Sequence, residues 1–195
     1  MNRKFIEDVQ IKGLRILTRL DLNVPLNNEF KITDNSRIKG ALKTIKYIIK
    51  NGGKAVLMSH LGRPNGKRLN SMSLKPVANE LSLLLGKKII LASDCIGSDV
   101  ERIVQKMKNG DVVLLENLRF HKEEQQNDLE FCRLLSTLGD VFINDAFGSV
   151  HRAHSSVSGV PKLMKDSAIG YLIREELKFL GEAISNPVKP FSAIL

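Results

Sequence analysis

The sequence predicts an α/β domain with a mostly parallel sheet of about six strands, because short apolar runs alternate with longer amphipathic stretches along its 195 residues. The apolar runs are almost continuous in hydrophobicity, as expected of strands that are covered on both faces. Between them, apolar residues recur at the helical period. Helices on both faces of such a sheet would give a three-layer α/β/α arrangement of Rossmann-like type, and the chain length suits one domain.

Six aliphatic runs are predicted as strands: 16–20, 55–59, 88–91, 112–115, 141–144 and 191–195. Five amphipathic stretches are predicted as helices: 37–50, 74–85, 99–108, 129–138 and 171–184. Polar residues before these stretches and Gly or Asn after them are typical helix boundaries. The last strand ends with the chain, which is unusual for a buried strand, so we expect the chain to be part of a longer protein.

The charge balance favours an anionic ligand. Thirty Lys and Arg residues against 21 Asp and Glu residues give a formal charge of +9 and a pI near 9.6. A nucleic acid, an acidic surface or a small phosphorylated acid would all fit this excess, and lysines on solvated helix faces account for part of it. The net charge alone therefore does not distinguish among these three kinds of partner.

Several observations predict a cytoplasmic protein without a membrane partner. No apolar run exceeds four residues, as at 55–58, which is far too short to span a bilayer. Cys95 and Cys132 are the only cysteines and lack a CxxC spacing, and the sequence has no Asn-x-Ser/Thr acceptor. We expect both thiols to be reduced.

Motifs for nucleotides and metals are missing from the sequence. No GxGxxG follows a strand, and the segment 62–68 is one residue short of a Walker A loop and lacks its Ser/Thr. There is no HExxH and no paired Cys/His spacing, so we predict no metal site in this chain. Aromatic residues make up only 5%, which supplies few stacking platforms for nucleic acid.

Polar clusters follow four of the predicted strands, at 21–25, 59–64, 116–120 and 144–154. Each cluster alone could be an ordinary turn or solvated loop. The carboxyl ends of parallel strands meet at one edge of a sheet, where ligands bind, so we expect the four clusters to converge there. The polar side chains expected at this edge are Asp21, Asn23, Arg37, His60, Arg63, Arg119 and Arg152.

Guanidinium groups that converge in a crevice repel one another unless an anion or carboxylates offset their charge. Arginine can hold phosphate and carboxylate through two parallel hydrogen bonds. Asp21 and Asn23 add acceptors and donors that suit a hydroxyl group. The sequence therefore predicts a ligand that is small, multiply anionic and hydroxylated.

These motifs, in this order and at this spacing, resemble phosphoglycerate kinase. They are DLNVP at 21–25, TDNSRI at 33–38, SHLGRP at 59–64, LENLRF at 115–120, and NDAFG at 144–148 followed by HRAH at 151–154. The segment 170–195 is similar to the end of that family's first domain, so the resemblance covers essentially the whole chain.

The resemblance implies a glycolytic and gluconeogenic enzyme that transfers a phosphoryl group reversibly between 1,3-bisphosphoglycerate and ADP, giving 3-phosphoglycerate and ATP. It implies that residues 1–195 form a single N-terminal domain that binds 3-phosphoglycerate. The C-terminal domain, which binds Mg²⁺ with ATP or ADP, would be absent. We therefore expect no cofactor in this chain, no turnover by the chain alone, and a monomer whose partner is the missing domain.

The resemblance also implies roles for single residues. Arg37 would be catalytic, reaching the carboxyl end of the substrate and the phosphoryl group in transfer, and Asp21 and Asn23 would orient the glycerate hydroxyl. The groups expected to hold the 3-phosphate are His60, Arg63, Arg119 and Arg152, and the same substrate-binding segment contains Leu61 and Gly62. A basic nucleic-acid-binding module is the alternative, and an interaction domain without a ligand is a third hypothesis.

Overall fold

The computed structural model describes residues 3–186 and Ser192. Its strands are β1 (Arg15–Leu20), β2 (Lys54–Met58), β3 (Ile90–Leu91), β4 (Val112–Leu114), β5 (Val141–Asp145) and β6 (Ser167–Ile169). They form a six-stranded sheet in the order β3-β4-β2-β1-β5-β6, and all five strand pairs are parallel. The predicted α/β class and its parallel sheet are confirmed.

The α-helices are α1 (Ser36–Lys50), α2 (Lys75–Leu85), α3 (Ser98–Gln105), α4 (Glu123–Gln126), α5 (Leu129–Ser136), α6 (Val160–Leu163) and α7 (Tyr171–Ser185), and a π-helical turn spans Ser155–Gly159. The predicted helices correspond to α1, α2, α3, α5 and α7, although α3 ends at Gln105 rather than at 108. The prediction missed α4 and α6, each a four-residue helix. Among the described residues, no helix combines the length and the apolarity needed to cross a membrane.

The sixth strand of the sheet is β6, which the sequence did not predict. It has three residues, of which only Ala168 is buried, so no apolar run marks it. Pairing with β5, where Ile143 lies opposite Ala168, defines this strand. Of the strand predicted at 191–195, only Ser192 is described, and the other four residues lie outside the described part of the chain.

Side chains on each strand alternate between two cores, one on each face of the sheet. Ile16, Leu57 and Ile143 belong to one core, together with buried residues of α1 and α2. Leu17 and Phe142 belong to the other, together with buried residues of α3, α5 and α6. The period of two along a strand explains this division, and it confirms the three-layer arrangement.

A close contact at the start of α7 leaves no room for a side chain at position 170. A Cβ atom at Gly170 would lie 2.4 Å from Cγ of the buried Asp145 side chain, whose Oδ1 accepts a hydrogen bond from the Leu172 N–H at 2.8 Å. We therefore expect Gly170→Ala to lower the free energy of unfolding by about 1–3 kcal/mol in a denaturant melt, because the core there is already full.

Gly181, within α7, is the matched control, since a Cβ atom added there would meet no side chain of another described residue within 4 Å. Gly181→Ala should raise the stability of the chain by about 0.5–1 kcal/mol through helix propensity alone. Equal stability of the two alanine variants would contradict the packing described here.

Candidate functional site: a basic crevice at the carboxyl edge of the sheet

The four polar clusters follow β1, β2, β4 and β5, which are consecutive strands in the order β4-β2-β1-β5. Because all pairs are parallel, the clusters leave the sheet at the same edge. The expected convergence therefore follows directly from the topology. We call this region the basic crevice and define it by Asp21, Asn23, Arg37, His60, Arg63, Arg119 and Arg152.

One wall of the basic crevice comes from the segment after β1 and the start of α1. Arg37 lies in the first turn of α1, and its guanidinium donates a hydrogen bond to Oδ2 of Asp21. The Arg37 side chain is 52% exposed, whereas that of Asp21 is 12% exposed. Asn23 is tied to the neighbouring loop, because its Oδ1 accepts a hydrogen bond from the Gly62 N–H at 2.9 Å. Asp21 thus holds an arginine that still faces solvent.

Asn117 joins the segments after β2 and β4. Its fully buried side chain accepts hydrogen bonds from the N–H groups of Leu61 and Arg119 at 3.2 and 3.1 Å, and it donates to the Leu61 carbonyl at 2.7 Å. The Arg119 guanidinium donates to the Gly62 carbonyl at 2.9 Å. These bonds fix the positions of Leu61 and Gly62, and they hold Arg119 beside them.

The remaining arginines are less restrained. Arg63 is exposed and Arg152 is half-buried, and neither forms an ion pair with an acidic side chain in the described part of the chain. Burial lowers the pKa of Arg119 to about 10, and the nearby charges of Arg152, Arg19 and Arg63 add to the effect. Guanidinium groups that lie this near one another repel, and an anion between them is favoured.

Arg19 is a site residue that the sequence analysis missed. It lies on β1, is 1% exposed, and contacts three acceptors: Oγ of Ser156 at 2.9 Å, Nδ1 of His60 at 3.0 Å, and the Leu20 carbonyl. Burial lowers the pKa of this arginine. The only sequence signal is a charged residue inside a predicted strand, which could have marked Arg19 as functional.

Two histidines, His60 of the basic crevice and His154 near it, are held neutral. Burial is the largest cause, and the charges of Arg19, Arg119 and Arg152 add to it, so that the pKa of His60 falls to about 2. The pKa of His154 falls to about 4 for the same reasons. Because Arg19 donates to Nδ1 of His60, that nitrogen is unprotonated and Nε2 carries the hydrogen. His60 therefore offers a neutral N–H donor.

The Nε2–H tautomer of His60 should be observable in solution. In ¹⁵N NMR spectra, His60 should keep its Nε2–H form without titrating from about pH 4 to pH 8, whereas an unperturbed histidine titrates near 6.5. His121 is an internal control, because a hydrogen bond from its ring to Asp94 raises its pKa. Titration of His60 near pH 6.5 would contradict the geometry.

The free energy of unfolding should depend on pH through His60. His60 binds a proton in the unfolded chain below about pH 6.5 but remains neutral in the folded chain down to about pH 2. The unfolded state therefore binds more protons in that window, and the stability contribution of His60 is lost as pH falls through it, by up to about 1.4 kcal/mol per pH unit.

Two acidic residues of the motifs have structural roles. Glu116 is buried, and its carboxylate accepts hydrogen bonds from the Ser73 hydroxyl at 2.7 Å and from the Leu74 N–H at 2.8 Å, just before α2 begins. Asp145 accepts hydrogen bonds from the Thr44 hydroxyl and from the N–H groups at the start of α7. These carboxylates fix helices next to the basic crevice and are not available to a ligand.

One group in the described residues could ligate a metal, namely Asp94, Cys95 and His121, whose ligand atoms lie within 4.8 Å of one another. The His121 ring already pairs with Asp94 at 2.7 Å, and the Arg68 guanidinium lies 3.7 Å from the same carboxylate. Burial raises the pKa of the Cys95 thiol, which favours its protonated form. The three groups are thus satisfied without an ion.

A separate groove lies between α2 and the segment before α1. It has a volume of about 790 Å³, and its lining includes Phe30, Pro76 and Leu83. None of the residues that define the basic crevice lines this groove. The convergent cationic groups and this groove are therefore different surfaces.

Comparisons with known proteins identify the family of this chain. A sequence model of the family described as phosphoglycerate kinase matches residues 6–195. The chain belongs to the phosphoglycerate kinase family. The resemblance stated from the motifs is therefore confirmed, and the alternative of a nucleic-acid-binding module gains no support from these matches.

Individual phosphoglycerate kinases are similar to this chain over all of its length. The proteins named phosphoglycerate kinase from Chloroherpeton thalassium and Clostridium botulinum strain Hall are 54% and 52% identical to it, with 100% of this chain and 49% of each relative aligned. The chain spans about half the length of the curated relatives it matches.

Solved structures of the family agree in fold. Phosphoglycerate kinase from Coxiella burnetii superposes with a TM-score of 0.84 at 35% identity, covering 97% of this chain and 47% of that protein. The phosphoglycerate kinase from Pyrococcus horikoshii OT3 gives a TM-score of 0.87 at 31% identity, covering 96% of this chain and 47% of that protein.

Proposed function

We propose that this chain is the phosphoglycerate-binding half of a phosphoglycerate kinase, a single domain that binds 3-phosphoglycerate in the basic crevice. The observation that carries the proposal is the meeting of arginine and histidine side chains with Asp21 and Asn23 at the carboxyl edge of one parallel sheet. A phosphate, a carboxylate and a hydroxyl on one small molecule match these groups.

In this proposal, His60, Arg63, Arg119 and Arg152 hold the phosphate that does not react. His60 contributes a neutral donor, and the arginines contribute charge. Leu61 and Gly62 complete the segment that borders the phosphate, and their backbone is fixed by Asn117 and Asn23. A phosphate bound there would relieve the repulsion among the guanidiniums.

The reacting end of the substrate would lie toward Asp21, Asn23 and Arg37. Asp21 holds Arg37 while leaving much of its side chain in solvent, so Arg37 can approach a phosphoryl group that arrives from outside the domain. Asn23 orients the glycerate hydroxyl. Phosphoryl transfer depends mainly on positioning and on stabilisation of charge, which these groups supply.

The whole enzyme would transfer the phosphoryl group between 1,3-bisphosphoglycerate and ADP, in glycolysis and gluconeogenesis. Mg²⁺ with ATP or ADP would be bound by the part of the protein beyond this chain and would supply or accept that group. This chain binds and orients the acid substrate but does not turn over alone. We further propose a cytoplasmic monomer.

Calorimetry tests the proposal. The purified chain should bind 3-phosphoglycerate with an affinity that falls as salt rises, because the attraction is between arginines and anionic groups. ATP should not compete with it, and neither should single-stranded DNA. The proposal fails if ATP or single-stranded DNA displaces 3-phosphoglycerate, or if 3-phosphoglycerate does not bind at low salt.

A further inference from the structure

We infer that Glu124 is a positioning residue of the basic crevice, which acts through Ser156 and Arg19 on His60. This inference rests on the proposed function and extends it to a residue outside every motif that the sequence analysis identified. Glu124 lies in the short helix α4 and is fully buried. A buried carboxylate is costly unless hydrogen bonds and a nearby positive charge compensate it, so its presence beneath a cationic site needs an explanation.

Ser156 links Glu124 to the basic crevice. Its hydroxyl donates a hydrogen bond to Oε1 of Glu124 at 2.6 Å, and its N–H donates to Oε2 at 3.0 Å. The same hydroxyl accepts a hydrogen bond from Nε of Arg19 at 2.9 Å. A serine hydroxyl has one hydrogen, so an ionised Glu124 directs that hydrogen away from Arg19 and leaves the oxygen lone pairs facing the guanidinium.

Arg19 depends on this arrangement because its acceptors are otherwise neutral. They are the Ser156 hydroxyl, the Leu20 carbonyl and the ring of His60. Of the charged groups that act on Arg19, Glu124 stabilises the cation most, Asp21 stabilises it less, and Arg152 opposes it. Glu124 is therefore the main counter-charge of a guanidinium whose hydrogen bonds to the described residues include no carboxylate.

His60 is the end of this chain of contacts. An Nη atom of Arg19 lies 3.0 Å from Nδ1 of His60, so the position of Arg19 fixes both the tautomer and the ring orientation of His60. His154 is another titratable group near Glu124, with Nδ1 at 4.0 Å from Oε1. A carboxylate that never contacts the substrate thus sets how a donor nitrogen faces it.

A positioning role and a purely electrostatic role of Glu124 predict opposite changes in the affinity for 3-phosphoglycerate when Glu124 is replaced by glutamine. If Glu124 acted only as a negative charge near a cationic site, its removal would strengthen the binding of 3-phosphoglycerate. If it positions Arg19 and His60, neutral glutamine should weaken binding, because its amide N–H₂ opposes the Ser156 N–H and the hydroxyl loses its fixed direction. We expect binding about tenfold weaker and a mixture of His60 tautomers in ¹⁵N NMR spectra.

Neighbouring residues provide matched controls. Ser156→Ala should weaken binding in the same direction, since it removes the linking hydroxyl. Ser155→Ala removes an equally buried hydroxyl that donates to the Glu123 carbonyl at 2.9 Å, and it should leave binding unchanged. Glu123→Gln is the charge control in the same helix, and it should also bind like the wild type.

The inference is overturned if folded Glu124→Gln binds 3-phosphoglycerate as tightly as the wild type or more tightly, or if Ser155→Ala and Ser156→Ala weaken binding equally. If Glu124→Gln does not fold, Ser156→Ala takes its place, and wild-type or tighter binding of 3-phosphoglycerate by that variant overturns the inference. If the wild-type chain binds no 3-phosphoglycerate, the proposed function fails separately. In that case the ¹⁵N spectrum of His60 in Ser156→Ala tests the inference, because this measurement needs no ligand. An unchanged Nε2–H tautomer in that variant contradicts the positioning role of Glu124.

Discussion

Arg37→Ala should lower kcat by roughly a hundredfold or more in a complete phosphoglycerate kinase that contains this chain, with a smaller change in KM. Arg37 is the arginine of the basic crevice that Asp21 holds while half of its side chain remains in solvent. In the proposed function it meets negative charge on the phosphoryl group in transfer. A group that acts mainly in the transition state affects kcat rather than ground-state binding, and a hundredfold loss corresponds to about 2.7 kcal/mol.

Steady-state kinetics of two further variants complete this test. Arg37→Lys should recover little activity, because lysine keeps the charge but lacks the planar fork. Lys39→Ala removes an exposed cation from the same helix and should leave kcat unchanged. The assignment of Arg37 is wrong if Arg37→Ala keeps a kcat near that of the wild type.

Arg119→Ala should weaken binding of 3-phosphoglycerate by roughly 10- to 150-fold, because a hydrogen bond to a charged group contributes about 1.5–3 kcal/mol. The phosphate that Arg119 is proposed to hold has the same charge in the ground and transition states. The loss should therefore appear in KM, or in the dissociation constant of this chain, with little change in kcat. Arg119 also donates to the Gly62 carbonyl, so the adjacent backbone should loosen as well.

Arg102→Ala is the matched control for Arg119→Ala. Arg102 is an exposed arginine of α3 that pairs with Asp99 in the same helix, so its removal should change neither binding nor stability measurably. A thermal melt of Arg119→Ala separates loss of the site from loss of the fold. If Arg119→Ala abolished kcat and left KM unchanged, the division of roles between Arg37 and Arg119 would be reversed.

The central sheet and the location of the basic crevice could be predicted because both follow from periodicity. Apolar residues lie on both faces of the strands β1, β2, β4 and β5, and a parallel sheet brings the segments after them to one edge. The strand β6 could not be predicted, because it has three residues and exists through its pairing with β5.

Individual roles within the motifs needed the structure. Glu116, Asn117 and Arg119 are near neighbours in one motif, yet Glu116 fixes the start of α2, Asn117 joins two loops, and Arg119 borders the basic crevice. Sequence alone does not tell which polar residue of a turn faces its own backbone and which faces a ligand. Arg19 was missed because its environment depends on Ser156, which is distant in sequence.

An NMR titration of this chain with 3-phosphoglycerate tests most directly whether the basic crevice is the phosphoglycerate site. We expect the largest changes at the backbone amides of Gly62 and Arg63, at the side chains of Arg119 and Arg152, and at the His60 ring. The groove lined by Phe30 and Leu83 should change little. Saturable changes that concentrate in that groove, with the basic crevice unaffected, would contradict the account.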